Sequence, residues 1–379
     1  MIDALVSTPS VSSPDASRDQ GNLAVIEQLA SWLSDAGFDI EVMPLPNDNS
    51  KANLIATLGS GSGGLVLSGH TDTVPYDEGK WQHNPFSLTQ VDQRLYGLGT
   101  SDMKAFLALA IEASRGVRAT DLKQPLIILA TADEETSMAG AKALVDRKLP
   151  QAQYAIIGEP TGLRPVNMHK GMLMEAIRLQ GRSGHSSDPA LGNSALEAMY
   201  CVIGALRDWR DELQHTHHNA CFAVPVPTLN LGHIHGGDNP NRICPACELH
   251  IDLRPLPGMD PQQLREELRH RTLAVLRDSG IHASFEALLD GVPAMQTPAS
   301  AAIVQLAEKL TGHSPEAVAF GTEAPYLNQL GIETVVLGPG DIEQAHQPDE
   351  YLALERLTPT IEILTQMINT ICIKQDPLL

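Results

Sequence analysis

Gly69-His70-Thr71-Asp72, Asp133-Glu134-Glu135 and Gly158-Glu159-Pro160 each place an imidazole or a carboxylate just after a run of strand-forming apolar residues. The runs are Leu65-Val66-Leu67, Leu126-Ile127-Ile128-Leu129 and Ala155-Ile156-Ile157. Ionised carboxylates at the end of a buried strand are costly unless cations or hydrogen-bond donors compensate them. An acidic pair taken alone is normally a solvated turn. Here Asp102 and His346 lie in similarly punctuated turns, and the convergence points to cation binding. Hard carboxylates mixed with borderline imidazoles suit zinc, with cobalt or manganese as substitutes, and the ligand count fits two ions. Two ions ~3.5 to 4 Å apart can hold a hydroxide nucleophile between them. One further carboxylate must then stay off the metals as proton carrier.

Delivering these groups to one place requires a sheet with its strand ends aligned. Residues 38–42, 54–58, 65–69, 126–131 and 154–158 read as strands, and 103–117 and 137–147 as helices. Residues 22–36 form an amphipathic helix through Leu23, Ile26, Leu29 and Leu33, stopped by Gly37. This is an α/β pattern with a mostly parallel, buried sheet, and in such sheets sites form at the carboxyl edge. After Lys170-Gly171 the pattern changes. Strand 172–181, helix 193–213, strands 229–235 and 244–253, helix 261–277 and strand 283–288 make a β-α-β-β-α-β unit of ferredoxin-like order. Helices at 298–310 and 353–370 and a strand at 334–337 then resume the first pattern. The expected organisation is a discontinuous catalytic domain, 1–171 and 289–379, with an inserted domain at 172–288.

Three other motifs are set aside. Gly59-Ser-Gly61-Ser-Gly63-Gly64 satisfies G-x-G-x-x-G, but it leads into a strand where phosphate binding needs a helix N-terminus. Cys244-Pro-Ala-Cys247 lacks a second pair, and His215-Thr-His217-His218 reads as a solvated loop beyond a helix end. The five cysteines, an odd number in a large chain, are expected to be reduced. With 46 acidic and 26 basic residues the net charge is −20, which argues against nucleic acid or an anionic membrane as partner. No apolar run approaches the ~20 residues of a membrane span, and the polar, Ser-rich start lacks a secretory pattern. A cytoplasmic location is the expectation.

The chemistry-bearing residues occur in longer words. Ser68-Gly-His70-Thr-Asp72-Thr-Val-Pro75, Gly97-Leu-Gly-Thr-Ser-Asp102-Met-Lys104, Ala132-Asp-Glu134-Glu135-Thr-Ser and Ile157-Gly-Glu159-Pro-Thr161 resemble the di-zinc family of aminoacylases, carboxypeptidases and succinyl-diaminopimelate desuccinylase. Gly184-His185-Ser-Ser-Asp-Pro189, Ile251-Asp-Leu-Arg254-Pro-Leu-Pro-Gly258, Thr322-Glu-Ala-Pro325 and Gln344-Ala-His346-Gln-Pro-Asp-Glu-Tyr351 extend the likeness over nearly the whole chain. The resemblance implies a zinc held by His70 and Glu159, a second held by Glu135 and His346, and Asp102 bridging both. It makes Glu134 the base, and it gives Asp72 the task of orienting His70 by a hydrogen bond. His185 becomes a catalytic histidine lent to the partner's site in a homodimer formed through the inserted domain. Asn241, Arg254, Gly321 and Thr322 become substrate contacts, with Arg254 suited to a carboxylate. The alternative for Arg254 is an internal salt bridge. Glu323 is a further candidate, facing a substrate ammonium, and the Asp102-Met103 peptide is expected to be cis. The implied reaction is hydrolysis of an N-acetylated amino acid, cobalt being a possible substitute for zinc. The words fix the reaction better than the acyl group, so a related deacylase or dipeptidase is the nearest rival. A non-catalytic binding protein is disfavoured by Glu134 standing beside five candidate ligands.

Overall fold

Leu126–Thr131, Leu65–His70, Tyr154–Pro160 and Glu333–Gly338 lie side by side in that order, all parallel. They are buried along nearly their whole length. Such continuous apolar runs are what a sheet covered on both faces demands. In the computed structural model, which describes residues 1–374, the sheet continues on one side with Asp48–Leu58 and Asp39–Leu45, both antiparallel to their neighbours. On the other side Val166–His169 pairs antiparallel at Val166 with Val336. That short strand was not anticipated from the sequence, because four residues carry too little periodicity to announce it.

The helices follow their apolar stripes. Leu23–Asp35 buries Val25, Ile26, Leu29 and Leu33, at the i, i+3/i+4, i+7 spacing of one helical face. Lys104–Ala113 is buried on every side, because it is enclosed in the core with Leu357–Ile368 and Ala302–Thr311. The C-terminal helix begins at Leu357, later than expected, since Tyr351–Ala353 is used as a strand against Arg94–Tyr96.

The chain divides into two compact units. One comprises residues 1–167, 297–316 and the chain from Thr322 onward; the other comprises Met168–Gln296 and Ala317–Gly321. The second has its own antiparallel sheet in the order Thr228–Gly236, Ala246–Arg254, Met172–Gln180, His282–Val292. Alternate residues Cys247, Leu249, Ile251 and Leu253 are buried, the period-two pattern of a sheet with one covered face. That face packs in a core with Met199, Val202, Leu206 and Trp209 of helix Ala195–Thr216 and Leu264 and Leu268 of helix Pro261–Val275. Both helices start on built caps. The Ser194 hydroxyl accepts from the Glu197 amide, and the Asp260 carboxylate from Gln262 and Gln263. Helix Ala195–Thr216 runs three residues past the expected end, so His215 falls in its last turn rather than in a loop. All five cysteines are free thiols. Among the described residues no helix is long and apolar enough to cross a membrane.

Candidate metal centre

Two glycines let the site form. A Cβ on Gly158 would fall 2.0 Å from the Phe106 ring, and one on Gly69 would fall 2.8 Å from Met103 Cε. Both glycines immediately precede a candidate ligand, Glu159 and His70. Their missing side chains let the first turn of helix Lys104–Ala113 press onto the ends of these two strands. Asp102, two residues before that helix, is thereby brought to the carboxyl edge of the sheet. The Asp102–Met103 peptide is cis, as the resemblance implied.

Asp102 joins two imidazoles. Its Oδ1 is 3.1 Å from His70 Nε2 and its Oδ2 is 3.4 Å from His346 Nε2, one oxygen for each ring. His346 Nε2 is also 3.1 Å from Glu135 Oε1, and His70 Nε2 is 3.8 Å from Glu159 Oε2. Ligand atoms of His70, Asp102 and Glu135 lie within 4.8 Å of one another, as do those of His70, Glu134 and Glu159. The five expected ligands and the expected base are therefore gathered in one cluster, with His346 on its open side at 53 % side-chain exposure.

The electrostatics of the cluster call for cations. Burial drives the Glu159 and Glu134 carboxyls well above the carboxylate range, and mutual repulsion adds to it. Glu159 Oε1 is buried with no hydrogen-bond partner, an oxygen awaiting a positive charge. Burial opposes a charged His70, but Glu159, Asp102 and Asp72 overcome it and hold the ring well above its usual pKa. Hydrogen bonds to Asp102 and Glu135 push His346 up to about 10. Burial likewise opposes ionisation of Asp102, yet the bonds from His346 and His70 hold it below the usual range. Two divalent cations fit this donor set: they would satisfy Glu159 and replace the protons on both rings.

Asp72 acts differently from the expectation. The group bonded to His70 Nδ1, at 2.9 Å, is the Asp72 backbone carbonyl, whereas the Asp72 carboxylate lies 3.7 Å from that nitrogen. Its two oxygens instead accept the amides of Glu134 and Glu135, at 3.2 and 3.1 Å. One residue thus fixes the His70 tautomer through its backbone and the acidic turn through its side chain. The turn is also held from below. Asp133, at φ 59°, accepts from Lys51 Nζ at 2.6 Å and from the Ser12 hydroxyl at 2.9 Å, while Lys51 also meets Asp19.

Thr322 is buried and its hydroxyl accepts from the Ala324 amide. Glu323 is 2 % exposed, accepts from the Thr131 hydroxyl at 2.7 Å and leaves Oε1 unpartnered; burial pushes it up to about 7. The remaining expected residues belong to the second unit. There His185 is exposed, and its Nδ1 accepts from the Ser187 amide, which puts the proton of a neutral ring on Nε2. Asn241 is its neighbour, accepting from the Ser186 amide. Arg254 makes the internal salt bridge, its Nε 2.9 Å from Asp252 Oδ1, in place of the open guanidinium expected of a substrate contact. Gly321 also lies in this unit. Sequence reasoning missed Lys51 and Glu350, because a lysine in a strand and a glutamate in a loop show no partner in one dimension.

A mainly parallel sheet that gathers carboxylates and imidazoles able to hold cations at its carboxyl edge is the frame of a metal-dependent hydrolase. The chain belongs to peptidase family M20/M25/M40, whose model matches residues 66–370. It is 51 % identical over 369 residues to an acetylornithine deacetylase of Edwardsiella ictaluri (strain 93-146), covering 97 % of this chain and 96 % of that one. Its fold is similar to that of an M20 family metallo-carboxypeptidase from Sulfolobus solfataricus, at TM-score 0.75 and 18 % identity, with 97 % of each chain covered. A dinuclear metal-binding M20 peptidase from Bacillus subtilis matches at TM-score 0.68 and 17 % identity, over 98 % of this chain and 97 % of that one.

Proposed function

We propose that the protein hydrolyses the acetyl amide of N2-acetyl-L-ornithine to L-ornithine and acetate, a step of arginine biosynthesis, with zinc as the resident metal. The likeness to the Edwardsiella ictaluri acetylornithine deacetylase supports the substrate. The observation that carries the chemistry is Glu134, set beside His70 and Glu159 and held by its own amide to Asp72. His70, Glu159, Glu135 and His346 would hold the two ions and Asp102 would bridge them; when bound, they acidify a water and polarise the acyl carbonyl.

Glu134 takes the proton of the attacking water and then passes it to the leaving amine, so one carboxylate serves as base and acid. Burial and the neighbouring Glu159 carboxylate lift its pKa, which favours its holding the proton between the two steps. His185, with its proton on Nε2, would be lent by one protomer to the other's centre, where it would donate to the oxyanion on the acetyl carbonyl. Glu323 offers its unpartnered oxygen to the substrate's side-chain ammonium. The second unit also carries the homodimer contact, a reading supported by Tyr200 at 79 %, Leu196 at 49 % and Ile234 at 55 % exposure on its helix and edge strand. The five unpaired cysteines accord with a cytoplasmic setting.

The test is acetate release from acetylornithine, compared with succinate release from succinyl-diaminopimelate, after chelation and zinc addition. Zinc-restored acetate release is expected; succinate release alone refutes the substrate. Glu134→Gln should keep its zinc and lose roughly 10² to 10⁴ in turnover, the range of a general base. Near-normal turnover in that variant removes Glu134 from the role.

A further inference from the structure

Four backbone amides of the loop that carries Asp102 are satisfied by one residue. Glu350 Oε1 accepts from the Ser101 and Asp102 amides, at 2.7 and 2.9 Å, and Oε2 accepts from Gly99 at 3.0 Å. The Glu350 backbone carbonyl takes the Gly97 amide at 3.0 Å. The residue is 1 % exposed. A buried carboxyl group whose two oxygens take three amide bonds is a rigid mount, because the bonds are directional and no water is there to replace them.

The loop is shaped for this mount and for little else. Gly99 sits at φ 84°, and a Cβ there would fall 2.8 Å from Lys104 Cδ. Its amides at 97, 99, 101 and 102 all reach acceptors on one residue. A second tie reinforces the first: the Ser101 hydroxyl accepts from the Asp341 amide at 3.1 Å.

Glu350 also belongs to the segment that delivers His346. Three residues lie between them, and Tyr351–Ala353 pairs with Arg94–Tyr96, just before the same loop. The two oxygens of Asp102 face His70 and His346, so its aim must be set against a histidine on a separate, exposed segment. Glu350 is thus both covalently close to His346 and hydrogen-bonded to the Asp102 amide.

We infer that Glu350 is a positioning residue that locks the bridging carboxylate of Asp102 in register with His346, and so sets the affinity of the centre for its pair of cations. The inference rests on the two-cation reading above. Gln in place of Glu350 keeps size and shape but turns an NH₂ group onto at least one of the three amides. Donor then faces donor, and the loop must shift.

The experiment is titration of the chelated protein with cobalt(II), followed by visible absorption and by the magnetic coupling of the two ions. The wild-type protein should take up two coupled ions. Glu350→Gln should bind cobalt roughly 10- to 100-fold more weakly, the range for residues that orient ligands, and lose the coupling. Glu350→Asp keeps the carboxyl group on a shorter arm and should fall between the two. A merely structural Glu350 would lower the urea resistance of the metal-free protein and leave the cobalt spectrum of the folded variant unchanged. Wild-type affinity and coupling in Glu350→Gln overturn the inference; if that variant does not fold, wild-type values in Glu350→Asp do so. Failure of the wild-type chain to bind two ions overturns the two-cation reading instead.

Discussion

Loading the centre with metal should expel protons, and the structure says from which groups. In the metal-free protein His346 is pushed up to about 10, and the carboxylates around His70 hold its ring above the usual value, both toward the doubly protonated form. Burial pushes Glu159 the same way, toward its protonated form. Asp102 is already ionised, held so by the two rings. A histidine or carboxylate must shed its extra proton to ligate, so filling the pair of sites should release protons from His70, His346 and Glu159. Protons and cations compete, and raising the pH removes the competitor. The combined affinity should therefore rise with pH around neutrality, by about tenfold per pH unit, or ~1.4 kcal/mol, for each proton expelled. The groups titrate as a coupled set, so the total is the measurable quantity. Calorimetric zinc titrations of chelated protein in two buffers of different ionisation heat give that total directly. Release of less than one proton, or an affinity flat between pH 6.5 and 7.5, would show that the rings are neutral before metal arrives and would sink the reasoning.

Asp72→Asn leaves one amide oxygen for two backbone amides; the lost charge-assisted bond costs ~1.5 to 3 kcal/mol, and urea unfolding should register it together with weaker zinc binding. Unchanged stability would mean the turn is held by Asp133 and Lys51 alone. Gly158→Ala forces a methyl group into the Phe106 ring, an overpacking of ~1 to 3 kcal/mol that should also displace Glu159; zinc stoichiometry equal to wild type would contradict this. In the chelated protein, burial raises Asp72 to about 6 and Glu323 to about 7. Folded carboxyls then hold protons that the unfolded chain releases near pH 4, so stability falls as pH rises from about 4 through these values. Urea midpoints at pH 5 and pH 8 test the sign, and a higher midpoint at pH 8 would reverse it.

Much of the centre could be read in one dimension because its ligands sit next to strong local signals. His70 and Glu159 end unbroken apolar runs, which register pairing then sets side by side: Ser68 faces Ile157 and His70 faces Thr131. Asp102 and His346 stand in Gly- and Pro-marked loops and were reached through their neighbouring words. What escaped were residues whose meaning is a distant partner. Lys51 meets Asp133 across 82 positions, and Glu350 meets Asp102 across 248. The Asp72 carboxylate was assigned to His70, two residues away, whereas its hydrogen bonds reach 62 and 63 positions onward.

The sequence by itself determined the kind of chemistry, since the type of each donor and its place after a strand are local properties of the chain. It also determined the strands and helices that lie beneath them, because burial writes its period into the residues. Only the tertiary structure decided how the donors are aimed. Phe106 over Gly158, Asp72 under the Glu134 turn and Glu350 behind Asp102 are long-range contacts. Their strength comes from excluding water around a charge, and that exclusion exists only once the chain has closed around them.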